Sequence, residues 1–423
     1  MRTALDGPGG GRRPIGAGGD GGMRANGRSS SRSDPSREPL VSACLIVRDE
    51  ARFLADCLRS LAGVADDVVV VDTGSTDGTA EIARRAGARV APFAWCDDFA
   101  AARNAALDLA RGRWVLQIDA DERLVGPGGA AVDPEVLRGW LAAPPPGCGH
   151  FAALGMHLES DLGGGQVHRT TVPRLFRRRL GWRYRNRIHE TFFPRGWREP
   201  WYLLPSVEIR HAGYAAEVER TRAKGARNLR LCALAVAENP ADFDMHYHYG
   251  FELARAGRET EAAAHLRRAW ELAPDWTVGS PLWWMIVVRA AEVLCHVGCA
   301  EEVLARLGPV LEAFPRAPYV SFLRGEALRN LRRPTEAFAA YRRGIELPPA
   351  GLAWEPPNTR SACWNGIGLV CEAVGRPDQA VEAYRQSLAL GPTPCATARL
   401  RALAVGSCGH GRDADVPNDA GPA

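Results

Sequence analysis

Long apolar runs are missing from this chain, because charged residues or glycines interrupt each of its longest apolar stretches. A helix that crosses a membrane needs about 20 consecutive, mostly apolar residues. The first residues also lack the apolar core of a secretory signal peptide. We therefore expect a cytoplasmic protein without a membrane span.

The chain also lacks a large excess of charge of one sign and a regular pattern of cysteines. The net charge is only +4 over 423 residues, so the chain as a whole shows no basic excess of the kind that attracts nucleic acids. The eleven cysteines are odd in number and scattered, and most lie on predicted apolar faces. This pattern favours buried, reduced thiols over a disulfide framework. We expect neither a nucleic-acid partner nor a structural zinc site.

A short apolar strand followed by acidic residues is the first feature that indicates chemistry. Residues 114–118 have the pattern of a buried strand, and Asp119, Asp121 and Glu122 follow it directly. Ligands of open α/β sheets bind beyond the carboxyl ends of such strands. Crowded carboxylates resist ionising together, and Mg²⁺ or Mn²⁺ removes that penalty. The Asp-Ala-Asp sequence therefore indicates a metal and diphosphate site, with a solvated turn as the alternative interpretation.

Strand and helix patterns alternate before this motif. Residues 40–47 and 68–71 are predicted strands, and residues 51–61 and 80–86 are predicted helices. Such alternation predicts a doubly wound parallel sheet.

Four segments of this region together resemble glycosyltransferase family 2, whose members have the nucleotide-sugar-binding fold called GT-A. The segments are 47–50, 71–79, 98–104 and 119–122, in the family order and at family-like spacing. The resemblance covers roughly residues 40–214. It implies an inverting, metal-dependent glycosyltransferase with Mn²⁺ or Mg²⁺ as cofactor. The donor is expected to be a nucleotide-diphosphate sugar, and a UDP-sugar in particular.

The resemblance also implies roles for individual residues. The expected nucleotide-sugar-binding residues are Val47, Glu50, Asp72, Asp77, Arg103 and Asp119, and the expected metal ligands are Asp119, Asp121 and His211. We expect Arg103 to contact the nucleotide or its diphosphate, because a guanidinium matches phosphate geometry. A solvated helix arginine is the alternative interpretation.

Residues 173–199 are dense in arginines and aromatic residues. Such interleaving can mark nucleic-acid binding. We favour an antiparallel hairpin, because the run leads into Arg187-Ile188-His189-Glu190, which resembles the family segment that supplies the acceptor-side carboxylate. Glu190 is therefore the predicted catalytic base, which His189 can orient. A surface ion pair within the arginine cluster is the alternative for Glu190.

The second half of the chain has a helical pattern from about Ala216, and the pattern repeats beyond Phe243. Small residues and a proline recur at matching offsets in three sets: Gly250, Ala262, Ala269 and Pro274; Gly325, Ala337, Gly344 and Pro349; Gly368, Ala380, Ser387 and Pro392. These offsets are typical of tetratricopeptide repeats, whose period is about 34 residues. Residues 284–315 fit the pattern more weakly. Stacked helix pairs form an extended concave surface, so we expect the repeats to bind a peptide or protein acceptor.

The predicted fold is an α/β GT-A domain, doubly wound, followed by an all-α tetratricopeptide-like solenoid. The predicted boundaries are a disordered tail at 1–38, the catalytic domain at 39–215, the repeats at 216–400 and a disordered tail at 401–423. This combination resembles enzymes that glycosylate peptides, including cysteine S-glycosyltransferases of antimicrobial peptides. Peptide, glycan and small-molecule acceptors all fit it. The alternative function is a catalytically degenerate sugar-nucleotide fold that acts as a repeat-based protein-interaction scaffold.

Overall fold

The computed structural model describes residues 38–146, 148–149, 151–163, 166–192, 201–211, 218–348, 356, 358–391 and 393–409. The elements below all belong to one unit, Pro39–Ala423. The predicted N-terminal tail up to residue 37, the predicted boundary at residue 215 and residues 410–423 lie outside the described residues. The boundary predicted at residue 400 lies within a helix that ends at Gly409.

Eight strands of the described residues form one sheet, in the spatial order β3-β2-β1-β4-β7-β6-β8-β5. The strands are β1 (Val41–Val47), β2 (Asp67–Asp72), β3 (Arg89–Pro92), β4 (Trp114–Gln117), β5 (Glu122–Val125), β6 (Ala153–Gly163), β7 (Gln166–Arg177) and β8 (Tyr202–His211). Strands β1 to β4 are parallel, as predicted. Strand β7 runs antiparallel to both β4 and β6, so the remaining half of the sheet is mixed.

Helices cover both faces of the parallel half. These helices are α1 (Ala51–Ser60), α2 (Thr79–Arg85), α3 (Phe99–Leu109) and α4 (Pro134–Ala142). On β2, Val70 belongs to the core under α1, α2 and α4, whereas Val69 and Val71 belong to the core under α3. Burial on both faces explains why this strand is a continuous valine run rather than an alternating pattern.

The order of the strands reverses at β1, which pairs with β2 on one side and with β4 on the other. The carboxyl ends of these three strands therefore meet at one edge of the sheet. Val47 ends β1, Asp72 ends β2, and Asp119 lies just beyond β4. Open α/β sheets bind their ligands at such an edge.

The helical region follows the sheet. Its helices are α5 (Val218–Glu238), α6 (Phe243–Arg255), α7 (Glu259–Leu272), α8 (Pro281–His296), α9 (Ala300–Ala313), α10 (Pro318–Asn330), α11 (Pro334–Glu346), α12 (Thr359–Ala373), α13 (Pro377–Leu390) and α14 (Pro394–Gly409). None of the helices among the described residues combines the length and the apolarity that a bilayer crossing requires.

The small residues of the predicted repeats allow the paired helices to approach closely. A Cβ atom added to Gly250 would lie 2.7 Å from Cγ of Leu266, and one added to Gly325 would lie 2.5 Å from the ring of Tyr341. Real Cβ atoms do not tolerate such contacts, so these positions require glycine. The weakly fitting residues 284–315 still form a helix pair, α8 and α9. Two of the predicted repeat prolines, at 349 and 392, lie outside the described residues.

Candidate active site

Turns at the carboxyl ends of β1 and β2 hold each other through hydrogen bonds. Oδ1 of Asp72 accepts hydrogen bonds from the backbone N–H groups of Gly74 at 3.1 Å and Ser75 at 2.8 Å. Oδ1 of Asp49 accepts from the N–H of Thr76 at 2.7 Å, and the N–H of Asp49 donates to Oγ of Ser75 at 3.0 Å. The carboxylates therefore fix the backbone of both turns.

Asp77 connects the second turn to the start of α1. Its Oδ2 accepts from the N–H of Ala51 at 3.0 Å, and its Oδ1 accepts from the N–H of Thr79 at 3.1 Å. The hydroxyl of Thr79 in turn accepts from the N–H of Glu50 at 2.8 Å. Asp77 and Glu50 thus shape the rim of the predicted nucleotide pocket.

Val47 contributes to this rim through its backbone. Its carbonyl oxygen accepts from the N–H of Thr73 at 2.9 Å and from the Thr73 hydroxyl at 3.0 Å. Its side chain is buried in the core of the sheet. Because the carbonyl oxygen is hydrogen-bonded and the side chain is packed in the core, Val47 can contribute to binding only by shaping the turn. Direct nucleotide contacts by these residues stay predictions.

Asp119 is surrounded by arginines. Its carboxylate lies 2.9 Å from Nη2 of Arg103 and 3.5 Å from Nη2 of Arg174. Burial alone would raise the pKa of Asp119, but the two positive charges outweigh it and hold the pKa well below its ordinary value. Glu122 braces the same group, because its Oε2 accepts from the N–H of Asp119 at 2.9 Å and its Oε1 lies 2.5 Å from Arg174.

Arg103 connects the two predicted functional carboxylates. Its Nη2 contacts Asp119, and its Nε donates to Oε1 of Glu190. The arginine side chain is only 11% exposed and that of Glu190 only 13%. Arg103 is therefore not a solvated arginine, and Glu190 forms a largely buried ion pair with Arg103 rather than a surface pair within the arginine cluster. The role of Glu190 as the base stays a prediction. The predicted contact of Arg103 with a diphosphate stays a prediction, since its described partners are carboxylates.

Asp121 and His211 form a second polar pair at the same edge. Strand β5 pairs with β8 so that Glu122 lies opposite His211, which brings the preceding Asp121 close to the imidazole. Oδ2 of Asp121 lies 3.1 Å from Nε2 of His211. This hydrogen bond raises the pKa of His211 above its ordinary value, although burial opposes the shift.

Two of the three predicted metal ligands therefore lie together, while Asp119 faces the arginines. Among the residues that the structure describes, no group of three or more His, Cys, Asp or Glu side chains is arranged as a metal site. Magnesium at phosphate-transfer sites is commonly held through one or two carboxylates plus substrate phosphates. The Asp121–His211 pair offers one carboxylate and one imidazole, and its binding of a cation stays a prediction.

The site also contains four residues that were not predicted from the sequence. Arg174 and Glu122 brace Asp119, and Asp49 braces the turn after β2. Tyr184 lies with its ring 5.7 Å from Cζ of Arg103. Asp49 and Glu122 fall within family-like segments, and Arg174 falls within the arginine cluster. Tyr184 is one aromatic residue of that cluster, with no local signal that separates it from the others.

Comparisons with known proteins identify two regions of the chain. Residues 42–124 match the model of glycosyl transferase family 2, and residues 361–393 match that of a tetratricopeptide repeat. A TPR repeat-containing protein of Synechococcus elongatus is 36% identical over 209 residues, which cover 48% of this chain and 49% of that protein. The SPbeta prophage-derived glycosyltransferase SunS of Bacillus subtilis is 23% identical over 244 residues, 56% of this chain and 54% of SunS.

The chain thus spans about half the length of the curated relatives that it matches. Among solved structures, MamA from Desulfovibrio magneticus RS-1 aligns with a TM-score of 0.32 and 18% identity, covering 40% of this chain and 88% of MamA. By its matches to the two family models, the chain contains a glycosyl transferase family 2 domain at residues 42–124 and a tetratricopeptide repeat at residues 361–393.

Proposed function

We propose that this protein is an inverting glycosyltransferase that transfers a sugar from a nucleotide-diphosphate sugar, with UDP-sugar as the expected donor. The observation that carries the proposal is the link from Asp119 through Arg103 to Glu190 at the ligand-binding edge of a family 2 domain. It joins a donor-side carboxylate to an acceptor-side carboxylate. An enzyme that brings two substrates together needs both groups in one site.

Glu190 is the proposed base. In this step its carboxylate takes the proton of the acceptor nucleophile, and the nucleophile bonds to the anomeric carbon. The bond from that carbon to the diphosphate breaks, and its electron pair leaves with the diphosphate oxygen. Attack on the face opposite the leaving group inverts the anomeric configuration. The contact with Arg103 holds the Glu190 carboxylate in one position for this proton transfer.

Asp121 and His211 are the proposed protein ligands of Mn²⁺ or Mg²⁺. When bound, the cation would neutralise charge on the leaving diphosphate. Asp119, which its two arginines already neutralise, is better suited to orient Arg103 and Arg174 toward the substrate than to hold the metal.

The helical region is proposed to bind the acceptor, with a peptide as the favoured class. A groove of about 640 Å³ lies between its helices. Its lining includes Phe251, Arg255, Arg289, Glu292, Tyr319 and Phe322. Aromatic residues and arginines are enriched at protein interfaces, so this lining suits a peptide. Tyr247, Trp283 and Trp284 of the same region are buried in its core and do not form part of this surface.

A scaffold without catalytic activity is the second candidate function. The observation that favours it is again Asp119, because a carboxylate paired with two arginines has no need of a cation. In that case, the polar pair Asp121–His211 would be structural only.

Hydrolysis of UDP-glucose or UDP-N-acetylglucosamine by the full chain in Mn²⁺, in which water takes the place of the acceptor and UDP is released, separates the two candidates. The proposed enzyme releases UDP, and Asp121→Asn abolishes the metal-dependent part of the rate. Asp108→Asn is the matched control, since Asp108 forms an exposed ion pair with Arg183 on the surface. Absence of nucleoside-diphosphate release from a wider panel of nucleotide sugars, or an unchanged rate in Asp121→Asn, would contradict the proposal.

A further inference from the structure

Glu190 lies in a short loop, residues 185–191, which we call the Glu190 loop. Backbone hydrogen bonds between Arg185 and Thr191 close it, at 2.9 and 3.2 Å. Asn186 and His189 have left-handed φ angles of 73° and 53°. Residues other than glycine adopt this conformation rarely, and it persists where the surroundings fix it. The contacts of the loop therefore decide where Glu190 points.

The helical region supplies contacts to three consecutive residues of the loop. Arg187 forms an ion pair with Glu238, at the end of α5. Ile188 packs in a small apolar cluster with Leu231 and Cys232, also on α5. Glu190 lies two residues after Ile188. Contacts with the helical region, and not only contacts with the sheet, therefore hold its backbone in place.

The third contact is a stack of two imidazole rings. His189 lies against His248 of α6, with 3.8 Å between the ring centroids and 9° between the ring planes. Nε2 of His189 is buried and has no hydrogen-bond partner among the described residues. Burial lowers the pKa of both histidines, so neutral rings stack without charge repulsion. Ring stacking, rather than hydrogen bonding through Nε2, thus holds the residue that precedes Glu190.

Helix α6 also reaches the proposed acceptor groove. Phe251, which lines the groove, follows His248 by one helical turn, about 5 Å along the helix axis. One helix therefore contacts both the Glu190 loop and the groove. A catalytic domain without α5 and α6 would lose the support of the loop.

We propose that His248 is a positioning residue for Glu190, so that the first helices of the helical region complete the active site of the preceding domain. His248 acts through the stack with His189 and does not touch the reacting atoms. The catalytic consequence rests on the proposed transferase function, whereas the effect on the loop does not.

Hydrogen exchange tests the effect on the loop without relying on activity. In the full chain, His248→Ala should speed amide exchange within residues 186–191 by about tenfold or more, while β4 exchanges as in the wild type. His248→Phe keeps a flat ring and should retain wild-type exchange. His265→Ala is the matched control, because His265 contacts His246 of the same α6, with 2.9 Å between the Nδ1 atoms. Wild-type exchange in His248→Ala, or equal acceleration in His265→Ala, would overturn the proposal.

Turnover tests the catalytic consequence. Release of UDP by His248→Ala should be about tenfold to hundredfold slower, with UDP affinity in Mn²⁺ unchanged, and His248→Phe should restore most of the rate. Equal losses of rate and affinity would show a general structural role and overturn the proposal. If the wild type releases no UDP from any nucleotide sugar, the transferase function fails and the exchange result alone decides the role of the stack. Should His248→Ala not fold, His248→Leu, which also lacks a flat ring, takes its place.

Discussion

The two sides of the candidate site are held in place by different means. On the donor side, Asp49, Asp72 and Asp77 bind backbone N–H groups of neighbouring turns, largely at the exposed surface. On the acceptor side, Arg103 and Glu190 are largely buried, come from distant parts of the chain and depend on charge pairing and helix packing. The donor side is thus a product of local sequence, whereas the acceptor side requires the assembled fold.

The largest expected effect is that of Glu190→Gln on turnover. Loss of a general base typically lowers the rate about 10²-fold to 10⁴-fold. UDP affinity should remain that of the wild type, because Glu190 belongs to the acceptor side. Kinetics and calorimetry on the same preparation measure both. Glu302→Gln is the control, since it removes a carboxylate that pairs with Arg267 in the helical region. A parallel loss of affinity and rate would assign Glu190 to the donor side instead.

Arg103→Met should be the most destabilising change, because it strands two carboxylates in a largely buried place. Removing one partner of a buried ion pair costs about 3–5 kcal/mol, and the remaining contact of Asp119 with Arg174 favours the lower end. Urea unfolding gives the value. Arg183→Met removes the exposed partner of Asp108 and should cost only about 0–1 kcal/mol. Equal losses of stability in the two variants would show that the ion pairs of Arg103 contribute no more than a surface ion pair.

On the donor side, Asp77→Ala should cost about 1 kcal/mol of stability, because two backbone N–H groups lose their acceptor. It should also weaken UDP binding, since the turn after β2 loosens. Asp133→Ala is the matched control: Asp133 caps α4 by accepting from Glu135 and Val136, at 2.9 and 3.2 Å. If both variants lose similar stability but neither loses UDP affinity, the turn is not part of the nucleotide pocket.

A pH dependence of stability is expected on the acceptor side. Burial lowers the pKa of His189 and His248 below 6.5, the ordinary value, although Glu190 and Glu252 near His189 oppose the shift. Asp244, 3.5 Å from His248, is the nearest carboxylate to the second ring. As pH falls below about 6.5, the unfolded chain therefore binds protons at these histidines that the folded chain does not. The free energy of unfolding then falls by up to about 1.4 kcal/mol per pH unit for each histidine.

Stability should accordingly be full above pH 6.5 and decline below it. His248→Phe removes one of the two groups, so its urea midpoint should change less between pH 7.5 and 5.5 than that of the wild type. His246 and His265 also have lowered pKa values, because of burial, and leave a residual slope in both proteins. The same slope in His248→Phe and the wild type would show that the stack does not titrate as described.

The sequence predicted the strands, turns and helices of the donor side, and physical reasons explain why. The valine run of β2 and the turn residues after it follow one another in the chain, so pattern and motif locate both. The offsets around Gly250 and Gly325 predicted the helix pairs, because only glycine fits against the ring or side chain that crosses it.

On the acceptor side, the resemblance suggested a residue, but no sequence pattern predicted its contacts. Glu190 was identified by resemblance, yet its ion pair with Arg103 joins residues 87 positions apart, and no local pattern encodes it. The stack of His189 on His248 joins the sheet domain to the helical region in the same way. The antiparallel pairing of β7 with β4 also depends on long-range packing, which explains why the mixed half of the sheet was not foreseen.

Calorimetry of UDP binding to the full chain, with and without Mn²⁺, tests most directly the claim that this edge of the sheet is a nucleotide-sugar site. The account predicts that UDP binds in the presence of Mn²⁺, that omission of the cation weakens binding, and that Asp121→Asn weakens it to the same extent while Asp108→Asn does not. No binding of UDP or of other nucleoside diphosphates, or equal binding by wild type and Asp121→Asn with and without Mn²⁺, would contradict it.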